Sequence, residues 1–173
     1  MTENIGQVVD SSDLMASGDG SHQYLTFMLA GEEYGVDILR VQEIKGWDTV
    51  TQIPNTPAYI RGVINLRGTI VPIIDMRTRF QLENLEYGPT TVVIVLRVNN
   101  EDKSRTMGVV VDGVSDVYNM PKEDIKPSPD FGTAVDTAFV KGLATVNNKM
   151  VIVLDIDNML NSRELSVVDS AAG

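Results

Sequence analysis

Short apolar runs rich in Val, Ile and Tyr, each cut off by Gly, Asn or Pro, recur along the chain from Tyr24 onward. That pattern predicts strands, because β-branched and aromatic side chains suit a pleated surface and the intervening residues turn the chain. The first run, 24–29, stops at Ala30-Gly31-Glu32-Glu33 and reads as strand, turn, strand. Further strands are predicted over 62–66, 69–74, 92–98, 107–111, 141–146 and 150–154, and long helices are absent from the pattern. Residues 40–44 fit a turn of helix or a twisted strand, since so short a window does not separate the two periods. Pro72 has no N–H to give a ladder, so its strand is expected at a sheet edge or a bulge, and an edge there would be open to another protein.

Internal repetition organises these runs. Residues 59–80 align without a gap on 139–160, an offset of 80 positions that sets Tyr59 on Phe139, Arg61 on Lys141, Gly62 on Gly142, Val71 on Val151 and Asp75 on Asp155. Earlier in each half, Tyr34-Gly35-Val36 through Ile44 aligns on Met107-Gly108-Val109 through Val117. Two copies of one β-unit therefore fill the chain. A unit of five strands in about 60–70 residues suggests closure into a small barrel, which also hides strand edges. The expected division is a tail over 1–22, a first barrel over about 23–88 joined by the C-terminal segment, and a second barrel over about 89–160, with short helices after Asp75 and Asp155. Each Asp would cap its helix by accepting from free first-turn amides.

Composition narrows the function classes. The chain has 173 residues, no cysteine, and 14 Lys+Arg against 24 Asp+Glu, a net charge of −10. Such a balance repels phosphate backbones, so no nucleic-acid partner is expected. No apolar run approaches the roughly 18 residues that a membrane span needs, and the first 21 residues lack the basic and apolar regions of a signal peptide, so a cytoplasmic chain with no direct membrane insertion is expected. The single histidine, His22, falls in the predicted tail, and no Gly-rich phosphate loop is present. No catalytic residues, metal or cofactor are therefore expected. An enzyme would have to work with carboxylates alone, and a pair made of Asp75 and Asp155 would need the two repeats to face each other across a narrow cleft.

Asn65-Leu66-Arg67-Gly68 stands apart from this background. Between two strands, Arg67-Gly68 reads as a tight hairpin turn with Gly68 at positive φ, which sends the Arg67 side chain to the barrel rim. The second copy keeps the turn as Asn147-Asn148 and lacks the Arg.

The runs Glu33-Tyr34-Gly35-Val36-Asp37-Ile38-Leu39-Arg40-Val41-Gln42-Glu43-Ile44, Ile53-Pro54-Asn55-Thr56-Pro57 and Arg61-Gly62-Val63-Ile64-Asn65-Leu66-Arg67-Gly68, continuing through Val71-Pro72-Ile73-Ile74-Asp75, closely resemble the CheW family of bacterial chemotaxis coupling proteins. The second half, with 90–96 and 108–117, resembles the family too, so the likeness runs from about Tyr24 to the C-terminal residues; the N-terminal tail and the polar loop 99–104 depart from it. The resemblance implies a mainly β fold of two SH3-like five-stranded barrels. It also implies a non-enzymatic adaptor that binds the cytoplasmic tip of methyl-accepting chemotaxis receptors and the regulatory domain of a CheA-type histidine kinase, recruited to receptor arrays at the inner face of the membrane. Carried over by motif, Val41, Glu43, Gly62 and Arg67 would be receptor-facing, and Gly108 and Val117 would serve kinase coupling. For Gly108 and Val117, backbone fit and packing are an equally good account. The alternative of a detached kinase regulatory domain shares the fold; Met1, the tail and the lack of a kinase or receiver segment favour an independent adaptor.

Overall fold

A computed structural model describes residues 22–80, 82, 87–99, 104–127 and 139–160. All but the last residue of the expected tail over 1–22, and most of the polar loop, 100–103, lie outside the described residues. Ten strands follow one another: β1 (Gln23–Leu29), β2 (Glu32–Asp37), β3 (Val41–Gly46), β4 (Ile60–Leu66), β5 (Thr69–Asp75), β6 (Val92–Asn99), β7 (Ser104–Val111), β8 (Gly113–Asn119), β9 (Val140–Val146) and β10 (Lys149–Leu154). Two short helices close the halves, α1 (Met76–Arg79) after β5 and α2 (Ile156–Leu160) after β10. Asp75 accepts from the Arg77 amide and Asp155 from the Asn158 amide, as caps at these positions should. The open segment 40–44 resolves into a 3-10 turn, Ile38–Arg40, capped by Asp37, followed by β3.

The strands form two five-stranded sheets, ordered β8-β1-β2-β10-β9 and β3-β6-β7-β5-β4. We call these barrels A and B. Each has one parallel contact, β2 with β10 and β7 with β5. Each also has a closing bridge, Lys126 to Leu143 in A and Thr51 to Val63 in B. The halves of the sequence do not fold side by side. Strands β1 and β2 leave the first repeat to join β8–β10, while β3–β5 receive β6 and β7 from the second. The division therefore differs from the boundaries expected near residues 88 and 89: barrel B is built within 41–111, and barrel A from the two ends of the described chain. The exchange occurs because the links after β2 and β7, near Asp37–Arg40 and at Asp112, carry the chain from one barrel to the other instead of turning back.

That exchange explains why the apolar runs are nearly continuous. Along β6, Val93 and Val95 point into the interior of barrel B, while Ile94, Leu96 and Val98 enter a core shared between the barrels. β1 divides the same way, with Tyr24 inside barrel A and Leu25, Phe27 and Leu29 in the shared core. A strand buried on both faces has no polar side to alternate with. The shared core also takes Met76 and Phe80 from the α1 side and Ile156, Met159 and Leu160 from α2. Each fully buried side chain of this size contributes about 1.5–3 kcal/mol, so the barrels are held face to face over a substantial apolar surface.

Pro72 is not on an edge. Strand β5 lies between β4 and β7, so the open edge expected there does not exist. Pro72 faces Val63, whose own N–H and C=O turn away to Thr51, and the parallel pairing with β7 begins only at Ile73. The missing N–H thus falls where no ladder requires it, and the register shift expected as an alternative appears in the partner strand, between Ile60 and Gly62.

Candidate functional site

The turn joining β4 to β5 aims a charge outward. Arg67 and Gly68 have φ of 51° and 88°, a two-residue turn with both central residues left-handed, whose twist matches that of the flanking strands. The sequence pattern assigns positive φ to Gly68 alone; Arg67 adopts it as well, at a steric cost of about 1 kcal/mol that Asn bears more easily. The twin turn carries Asn147 and Asn148, at φ of 53° and 65°. The Asn65 carboxamide oxygen accepts from the Gly68 amide at 2.8 Å and braces the loop.

From that turn Arg67 reaches across to β3, where its Nη2 donates to Glu43 Oε1 at 2.6 Å. The Arg67 side chain is 74% exposed and that of Glu43 27%. An ion pair this wet is worth less than about 1 kcal/mol, so either partner can leave it for another charge at small cost. Two of the four residues expected to face a receptor are thus in direct contact, and Arg67 is paired within the chain rather than free.

Val41 and Gly62 are placed differently. Val41 opens β3 opposite Leu96 and packs, half-buried, on the shared core. Gly62 is buried with φ of 146°, and a Cβ there would lie 2.3 Å from the Thr51 carbonyl oxygen. Its absence of side chain lets the closing bridge form, and Gly142 does the same against Lys126. Gly62 therefore offers no side chain to a partner and keeps the scaffold shut behind the Glu43–Arg67 pair. Ile44 and Ile70, on β3 and β5, are large apolar side chains left 40% and 47% exposed. Ile44 belonged to a recognised run and Ile70 to a predicted strand, but exposure is set by barrel closure, which the local pattern does not encode.

Gly108 and Val117 lie apart. Gly108 is buried on β7 opposite Ile73, where a Cβ would come within 2.7 Å of Ile73 Cδ1 and 2.8 Å of Val93 Cγ1. Val117 lies on β8 of barrel A, facing Leu25 and packed on the shared core. The structure places them on different barrels.

Two charged clamps bind the crossover links. Arg77 on α1 is buried and pairs with Asp112, 3.2 Å from Nη1, while Asp112 Oδ2 accepts from the Ala30 amide at 2.8 Å. At the twin of Arg77 the polarity reverses: Asp157 on α2 receives two bonds from Arg40, in the link after β2, at 2.8 and 2.7 Å, and accepts from the Asn99 amide at 2.8 Å. Burial opposes the charge on Asp157, but the Arg40 guanidinium and the Asn99 amide hold its carboxyl below the usual range. Arg40 is pushed up by the same bond. Asp75 serves the first clamp, accepting from the Tyr87 hydroxyl at 2.5 Å, and burial together with that bond pushes Tyr87 up to about 12. Asp75 thus serves as both cap and clamp member, and Asp155 as a cap. Among the described residues no group of His, Cys, Asp or Glu could hold a metal ion, and no helix is long and apolar enough to cross a membrane.

Comparison with known proteins gives the family. Residues 23–164 match the CheW-like domain. The chain belongs to the CheW family. It is 48% identical over 150 residues to the chemotaxis protein CheW of Klebsiella aerogenes, covering 87% of this chain and 88% of that one. Its identity to the chemotaxis protein CheW of Rhizobium meliloti is 35% over 146 residues, covering 84% and 92%. The crystal structure of the scaffolding protein TtCheW from Thermoanaerobacter tengcongensis superposes with a TM-score of 0.74 at 33% identity, covering 83% of this chain and 90% of that one. The expected pair of SH3-like barrels is the family's fold, and the family is one of chemotaxis scaffolds, not enzymes.

Proposed function

We propose that this CheW-family chain is an adaptor that couples methyl-accepting chemotaxis receptors to a CheA-type histidine kinase at the cytoplasmic face of the membrane. The observation that carries the receptor half of the reading is the Glu43–Arg67 pair on the rim of barrel B. An incoming receptor helix that offers a carboxylate to Arg67 and a cation to Glu43 exchanges one weak, hydrated pair for two that become desolvated at the contact, where charge-assisted bonds count for more. Ile44 on β3 and Ile70 on β5 are exposed apolar side chains of the same barrel. Val41 and Gly62 act from behind, by fixing β3 and the closure of the barrel. Gly108 and Val117 belong to the kinase half of the proposal, which rests on the family likeness.

Titration of the purified chain with a receptor cytoplasmic-tip fragment, and separately with the kinase regulatory domain, tests this. Arg67→Ala should weaken receptor binding about thirtyfold, the equivalent of roughly 2 kcal/mol for a hot-spot arginine, and leave thermal unfolding and kinase binding in place. Receptor-stimulated kinase autophosphorylation should fall with it. Unchanged receptor affinity would show that the pair is surface decoration.

A further inference from the structure

The internal duplication makes each barrel a control for the other, and their ends differ. In barrel B the end next to the closing bridge is filled: Trp47 and Tyr87 pack on each other with ring centroids 4.3 Å apart and cover the interior residues. The Arg61 guanidinium lies 5.6 Å above the Tyr87 ring. In barrel A the corresponding end is, among the described residues, a cavity of about 490 Å³, lined by His22, Tyr24, Asp37, Lys122, Ile125 and Lys141. The correspondence is residue by residue. Lys141 stands where Arg61 does, and Ile125 stands where Val50 does, each beside the glycine that closes its barrel. His22 is not loose, as expected of a tail residue, because its carbonyl accepts from the Met120 amide and fixes it at the cavity wall.

The lining has a definite chemistry. Two lysines and a histidine line it with one carboxylate, Asp37, whose Oδ1 already accepts from the Leu39 amide, and Lys141 also borders the neighbouring recess that holds Asp155 and Asp157. In a chain of net charge −10, two such cations over an apolar floor of Tyr24 and Ile125 select an anion. In barrel B the cation at this place is matched by an aromatic face, which a cation attracts through the ring quadrupole. The volume lies within the range of small-ligand sites. We infer that the open end of barrel A binds an aromatic carboxylate, its ring taking the place that Tyr87 holds in barrel B and its carboxylate meeting Lys122 and Lys141. Such a group is found either in a free aromatic acid or in a peptide where an acidic residue adjoins an aromatic one.

Amide chemical shifts of the full-length protein, titrated with benzoate and with the blocked dipeptide N-acetyl-Glu-Phe-amide, test the assignment. The expected result is saturable shifts at His22, Tyr24, Ile125 and Lys141 with a dissociation constant of about 1 mM or tighter for at least one probe. Whichever probe binds more tightly identifies the source. Lys122→Ala and Lys141→Ala should each weaken binding about fivefold by removing one charge-assisted contact. Their melting temperatures should match the parent, since both lysines are exposed. The inference is overturned if neither probe gives saturable shifts, if the lysine variants bind as the parent does, or if inorganic phosphate or cyclohexanecarboxylate competes equally well.

Discussion

Asp157 sits where three parts of the chain meet: α2, the link between β2 and β3, and the end of β6. Replacing it with Ala removes two charge-assisted bonds from Arg40 and one from the Asn99 amide. Arg40 keeps one bond, to the Arg97 carbonyl oxygen at 3.1 Å. With side chains 24% and 33% exposed, the pair is screened in part, and the loss comes to about 2 kcal/mol rather than the full value of a buried pair. For a chain of this size that lowers the melting temperature by about 4–8 °C. Thermal unfolding followed by circular dichroism measures it, and a double-mutant cycle with Arg40→Ala isolates the pair, with a coupling of about 1 kcal/mol expected. The pH dependence has a definite sign. Asp157 has its pKa lowered by folding, so its contribution is complete above the unfolded value near 3.9 and fades as pH falls through the folded value. The gap in melting temperature between parent and Asp157→Asn should therefore be wide at neutral pH and narrow steadily below about pH 4. Additive single effects, or a gap that widens in acid, would refute the clamp.

The other expectations are each narrow. Gly62→Ala forces a Cβ against the Thr51 carbonyl at a backbone angle that side chains avoid; it should cost roughly 3 kcal/mol or more in chemical denaturation, and Gly142→Ala should cost about the same. Arg67→Asn places the twin's residue in a left-handed conformation, so its melting temperature should equal or slightly exceed the parent's while receptor affinity falls as for Arg67→Ala. Tyr87→Phe leaves the buried Asp75 carboxylate one donor short and should cost about 1–2 kcal/mol by the same unfolding assay.

Much of the architecture was legible because the duplication repeats not only residue types but their structural tasks. Asp75 and Asp155 cap helices, and Gly62 and Gly142 admit a crossing carbonyl, from matching places in each copy. Strands buried on both faces announced themselves as uninterrupted apolar runs. The exchange of strands between barrels was not legible, because a strand carries no mark of which partner it will join; that choice is made at the short links after β2 and β7. Pro72 misled for a related reason, since an absent N–H excludes only the position where a ladder would use it. Glu43 and Arg67 come together across 24 positions of sequence, and only closure of the barrel brings β3 beside the β4–β5 turn.

Duplication also changes what a difference between two residues means. A feature present in both copies is required by the barrel, whereas a feature found in one has been freed from that requirement. Gly62 and Gly142 fall in the first class, so the effect of altering Gly62 on any partner passes through the fold. Arg67 falls in the second: its twin, Asn147, makes the same turn at lower steric cost, so the turn by itself does not call for an Arg. The clamps occupy a middle position. Both copies need a carboxylate to bind a strand-end amide, Ala30 or Asn99, yet one supplies it from the link and the other from the helix. The requirement is thus for an ion pair across each crossover, with its polarity left open. With Arg77 buried and Arg40 partly exposed, the crossover after β2 is the one that pH and salt can reach, and motion between the barrels, where it occurs, should begin at Arg40 and Asp157.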